Sequence, residues 1–133
     1  MAVILGAEGT LVVGHPMTID SRTPYNEYGA CFEDDGDTGY FYALDYRDKE
    51  NPIQDALSIY DVKAVKDGHI PSEVKIVWAR DGTKTALLIN GYPHAVFDFV
   101  TKRGFCRSDF PPPSSKWPQS SHEWDDVALG LFD

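Results

Sequence analysis

Glu33, Asp34, Asp35 and Asp37 crowd around Gly36 in the stretch FEDDGDTGYFYALDY (32–46), and carboxylates at that density admit three chemistries. One is calcium binding, since clustered carboxylates supply hard oxygen ligands. Glu33, Asp35 and Asp37 are the candidate ligands, but the spacing departs from an EF-hand loop, which would need glycine sixth and glutamate twelfth where this chain has Thr38 and Leu44. Another is hydrolysis, with Glu33 and either Asp35 or Asp37 as general acid and base at the separation of about 5 to 9 Å that glycosidic cleavage uses. Carboxyls standing in water keep ordinary pKa values and make poor acids near neutrality, so burial would be required. The third is electrostatic docking. Glu33, Asp34, Asp35 and Asp37, joined by Asp45 and Asp48, would form an acidic face that meets a basic protein. That reading, a non-enzymatic immunity-like or adaptor protein, is the one the charge favours. A small hydrolase or calcium-binding module is the alternative, and no residue is assigned a catalytic role.

The charge is local. The 133 residues carry a formal net charge of −9, and residues 27–61 hold ten acids against only Arg47 and Lys49. Residues 62–133 hold nine acids and nine bases, so the remainder is close to neutral. A field of this sign repels phosphate backbones, and the three bases Lys102, Arg103 and Arg107 are too few for a nucleic-acid footprint. The simpler reading of this charge is a solubilising surface, because net charge bears on solubility and association before it bears on function.

Other reactive residues offer less. No two of His15, His69, His94 and His122 have metal-ligand spacing, and His94 and Asp98 on one strand would be about 13 Å apart, too far for a triad contact. Cys31, between Ala30 and Phe32, reads as an inert buried thiol, whereas Cys106 near Arg103 and Arg107 is the better candidate for reactivity. The two cysteines are far apart in sequence and form no metal or disulfide pattern, which suits reduced thiols in the cytoplasm. There is no phosphate-binding glycine loop, and nothing calls for a cofactor. The run AVILGA lacks a basic leader and stops at Glu8, and no apolar stretch reaches membrane-spanning length.

The elements that must position these residues are strands. From Thr10 to about Phe105, short apolar or alternating runs recur between Asp-Gly, Asn-Gly and proline turns, the punctuation of an antiparallel meander. The expected strands are TLVV (10–13), YGACFE (28–33), TGYFYALDY (38–46), ALSIYDVKAV (56–65), EVKIVWAR (73–80), TALLIN (85–90) and HAVFDFV (94–100). The acidic stretch is then a hairpin turn whose carboxylates face water, with Gly36 and Gly39 taking positive φ. Tyr28, Ala30 and Phe32 share one face of the incoming strand. Tyr40, Tyr42, Leu44 and Tyr46 share one face of the outgoing strand, and read as core or cross-strand packing. EVKIVWAR has a wet side at its start, and TALLIN is apolar on both faces, so it lies centrally or under a cover.

The candidate cover is SSHEWDDVALGLF, where Ser120 and Glu123 make a capping-box pattern and Trp124, Val127, Ala128 and Leu131 make a helical stripe. Pro111, Pro112 and Pro113 lie before it, either a ligand for an SH3-type groove or, the simpler reading, a stiff connector. The expected chain is a single domain of mainly β structure: a meander over 10–107, a connector over 108–119 and a helix over 120–132. The meander, of six to eight strands, forms a sandwich or half-open barrel. A free sheet edge would allow a homodimer.

FEDDGDTGYFYALD followed by DALSIYDV (55–62) resembles the signature of a family of small bacterial proteins known only as a domain of unknown function. The resemblance covers residues 32–62 and implies a family domain spanning most of the meander. It implies no activity, and it does not extend to the prolines or the terminal helix.

Overall fold

The computed structural model describes residues 3–23, 27–108, 116–117 and 122–132. Among these, nine strands form two antiparallel sheets. β1 (Val3–Leu11), β6 (Ser72–Ala79), β7 (Lys84–Ile89), β8 (Tyr92–Asp98) and β9 (Arg103–Cys106) make one sheet, in that order. β2 (Met17–Arg22), β3 (Tyr28–Asp34), β4 (Thr38–Asp45) and β5 (Ile53–Asp61) make the other. The sheets stack face to face without closing into a barrel, so of the two expected architectures the sandwich is the one present.

The expected strands stand close to where the alternation put them. Of TLVV only Thr10 and Leu11 fall in a strand, as the end of β1, which begins at Val3 and is interrupted by a bulge between Leu5 and Ala7. ALSIYDVKAV splits: β5 ends at Asp61, whose carboxylate accepts the Lys63 N–H and turns Val62–Ala64 into a 3₁₀ turn. β2 was not read from sequence, because MTIDSR is short and its outward positions Thr18, Asp20 and Arg22 are polar, leaving little apolar signal. β9, only four residues long, was missed for a similar reason.

Alternation in each strand fills the space between the sheets. Phe32, Phe41 and Leu57 from the four-stranded sheet meet Ile76, Leu87 and Phe97 from the other, all fully buried. Phe41 and Phe97 stack with ring centroids 5.1 Å apart. Cutting Phe41 back to alanine removes one of the largest groups in this core, a loss of about 3–5 kcal/mol.

The opposite face of the five-stranded sheet is also apolar. Val77, Ala79, Ala86, Val96 and Phe105 form a second cluster covered by Ala128 and Phe132. The C-terminus is therefore the cover that the two-faced apolar TALLIN requires, and β7 lies centrally in its sheet. The covering element is shorter than expected. α1 is Val127–Gly130, a single turn, and not a helix over 120–132. Glu123 instead lies extended, bridged in parallel to Cys106, and the Cys106 N–H donates to the His122 carbonyl at 2.8 Å. Val127, assigned to the buried stripe, is 59 % exposed, while Ala128 and Phe132 take the inward positions. A chain held extended through residue 123 leaves too few residues for a cooperative helix, so packing decides which side chains face in. The capping residue Ser120 and the prolines 111–113 lie outside the described residues. Trp117, ahead of α1, is buried edge-on against Phe97 and Phe99.

Candidate functional site

The acidic turn joins β3 to β4, and its four carboxylates are not equivalent. Asp34 is buried, 1 % exposed, and not in solvent as the turn reading expected. Its Oδ2 accepts the Gly14 N–H at 2.8 Å and the Tyr60 hydroxyl at 2.7 Å, and its Oδ1 accepts the Gly36 N–H at 2.8 Å. A carboxylate with three donors is satisfied without water, which is why it tolerates burial. Burial, and donation to Asp34, push the Tyr60 phenol well above its ordinary value. Asp35 and Asp37 are exposed. Asp35 Oδ1 accepts the N–H groups of Asp37 and Thr38, both at 2.9 Å, and these hold its carboxyl below the usual range. That is the wrong direction for a general acid near neutrality.

Gly36 takes the turn at φ 100°, as expected of a glycine. Gly39 does not have positive φ. It is required because a Cβ there would stand 2.5 Å from the Tyr60 ring.

Asp45 and Asp48 belong to a different place. β4 separates them from the acidic turn by about 23 Å at the rise of a strand. Arg47 holds Asp45 through Nη2 at 2.7 Å and Nε at 3.0 Å, and Lys116 pairs with Asp48. Those cations hold both carboxyls below their ordinary range. The six candidate residues thus divide into one buried carboxylate, two neutralised ones, and Glu33, Asp35 and Asp37, which form no ion pair. Among the described residues no three His, Cys, Asp or Glu side chains are grouped to hold a metal.

Glu33 points to the outward face of the four-stranded sheet. It lies opposite Tyr40, and its Oε1 accepts the Tyr42 hydroxyl at 3.1 Å. The Tyr40 and Tyr42 rings stand side by side, centroids 5.8 Å apart and planes within 24°. Phe41 alone of the three residues 40–42 faces the core, so alternation splits the aromatic run between two surfaces. Asp20 and Cys31 pair across β2 and β3 on the outward face. Burial, then the charges of Asp20 and Glu33, push the Cys31 thiol up to about 11, so it is no nucleophile at neutral pH. Asp61, paired with Thr38, adds an exposed carboxylate beside the turn. Sequence reasoning passed over Asp20 and Asp61 because neither lies in the dense run, and only cross-strand register brings them to it.

Cys106 is 1 % exposed and its Sγ contacts the Ser58 carbonyl and Ser108 Oγ, so its expected electropositive opening is absent. Arg103 and Arg107 stack instead on Phe105 and on Tyr92 and Trp124. The buried pair that sequence spacing could not reveal is His122 Nε2 with Asp55 Oδ2, 2.7 Å apart and 67 residues apart in the chain. It ties the C-terminal segment to β5.

Comparison with known proteins places this fold in a group. Residues 11–133 match the family described as "Uncharacterized protein conserved in bacteria (DUF2251)". The chain belongs to this family. The family match runs through the prolines and the terminal turn, beyond the meander to which the resemblance was confined. A relative in Haemophilus influenzae, described as "Uncharacterized protein", is 41% identical over 116 residues, covering 85% of this chain and 72% of the relative. No solved structure matches. Among the described residues no helix is long and apolar enough to cross a membrane.

Proposed function

We propose that this family member is a non-enzymatic binding protein that meets a basic protein partner through the outward face and turn end of its four-stranded sheet. The observation that carries the reading is the division of the acids. Glu27, Asp45, Asp48, Glu73 and Asp81 are each matched by a lysine or arginine of the chain, whereas Asp20, Glu33, Asp35, Asp37 and Asp61 enter no ion pair among the described residues. Glu8, Glu50, Asp67, Asp125 and Asp126 enter none either, but they lie on other segments and not on the β2–β5 face or its β3–β4 turn. Unmatched carboxylates gathered at one end of a sheet leave a negative potential that speeds and orients the approach of a positive surface. Asp34 is removed from the docking set because its oxygens are occupied by the fold, and Asp45 and Asp48 because their charges are balanced at the far end. Two free thiols fit a reducing cytoplasm as the place of action.

The experiment is affinity capture from a bacterial lysate, followed by a direct titration of the recovered protein. The reading requires a basic protein that elutes with salt and is lost when Glu33→Gln, Asp35→Asn and Asp37→Asn are combined. Undiminished binding of that protein to the triple variant would remove the proposal.

A further inference from the structure

We infer that the Tyr40, Tyr42 and Glu33 surface is an arginine-binding site, so that the partner reaches it with a guanidinium and not with an ammonium group. The inference rests on the basic-partner reading and names the chemistry of contact.

The molecule itself shows what its tyrosine and carboxylate pairs take. Arg22 lies over the Tyr46 ring, 4.5 Å from its centroid, while its Nη2 holds Glu27. Arg47 lies over the Tyr28 ring, 5.4 Å from its centroid, while its Nε and Nη2 fork onto Asp45. In each case one guanidinium satisfies an aromatic face and a carboxylate together, which a planar, delocalised cation does better than a compact ammonium. Tyr40, Tyr42 and Glu33 repeat the combination on the outward face between β3 and β4. All twelve lysines and arginines of the chain lie within the described residues, and none stands over Tyr40 or Tyr42 or pairs with Glu33. The Tyr42 hydroxyl occupies Glu33 Oε1, which orients the carboxylate beside the rings and leaves Oε2 toward a second donor. Asp20, Asp35 and Asp37 around it match a positively charged segment and oppose an acidic one.

The test titrates the full chain with a hexa-arginine peptide and a hexa-lysine peptide at equal ionic strength, by calorimetry. Tenfold or greater preference for the arginine peptide is expected, about 1.4 kcal/mol. Glu33→Gln and Tyr40→Ala should each erase the preference, with melting temperatures checked to show that both variants remain folded. Equal binding of the two peptides, abolished by Asp35→Asn with Asp37→Asn but not by Glu33→Gln, would overturn the arginine site while leaving the basic-partner reading intact. Binding of neither peptide would overturn both.

Discussion

Asp34 and Asp35 are sequence neighbours with opposite surroundings, and the difference follows from strand alternation and turn chemistry. Asp34, the last residue of β3, points inward and satisfies donors from Gly14, Gly36 and Tyr60. Asp34→Ala leaves those donors without an acceptor in a buried place, and is expected to destabilise the protein by about 1–3 kcal/mol or more. Asp35→Ala, at a site in full solvent, should change stability far less. Urea unfolding of the two variants checks this, and equal midpoints would show that the Asp34 network holds nothing together. His94 supplies a pH test. Burial, and then the nearby Arg107, hold its imidazole below the ordinary value of 6.5, so the folded protein stays neutral there at a pH where the unfolded chain has taken up a proton. Above 6.5 both states are neutral and the group contributes nothing. As pH falls below 6.5 the unfolded chain is favoured and stability is lost. His94→Gln should flatten that acid-side loss in urea midpoints measured across the window, and an unchanged slope would contradict the assignment.

At the scale of elements, the C-terminal segment is where sequence and structure part. Trp117 enters between the sheets, His122 meets Asp55 on β5, and Ala128 and Phe132 cover the second apolar cluster. The side chains of His122 and Asp55 are only 1% and 2% exposed. Removing either partner leaves the other polar group buried alone, so His122→Ala and Asp55→Ala should each cost about 3–5 kcal/mol. The double variant should cost little more than one single variant, and strict additivity in the double-mutant cycle would contradict direct coupling. The strands were legible because a core on one face imposes period two on residues such as Val74, Ile76 and Trp78. The terminal helix was over-read because a capping pattern describes what a segment can do alone, while the Cys106 bridge and the Asp55 contact fix it extended through Glu123. The candidate site was legible in composition only. Which carboxylates are buried, matched or open depends on partners such as Tyr60, Arg47 and Lys116, and the most distant of these pairings no local spacing announces.

Across the whole molecule the two outward sheet faces have different fates. That of the five-stranded sheet is apolar and covered by the chain's own C-terminus, whereas that of the four-stranded sheet carries Asp20, Cys31, Glu33, Tyr40 and Tyr42 and is left half-buried at most by its own side chains. Glu33, Asp35, Asp37 and Asp61, four of the ten acids between residues 27 and 61, lie where this second face meets the β3–β4 turn. A surface that is aromatic, negatively charged and unmatched by the chain's own cations suits a positively charged partner better than a substrate needing a pocket. The most direct measurement is a backbone and tyrosine-ring NMR titration of the full chain with an arginine-rich peptide. Salt-sensitive shifts are expected to be confined to Glu33, Asp35, Asp37, Tyr40, Tyr42 and their immediate neighbours. Shifts centred on the β4–β5 end around Asp45 and Asp48, or no shifts at low salt, would contradict it.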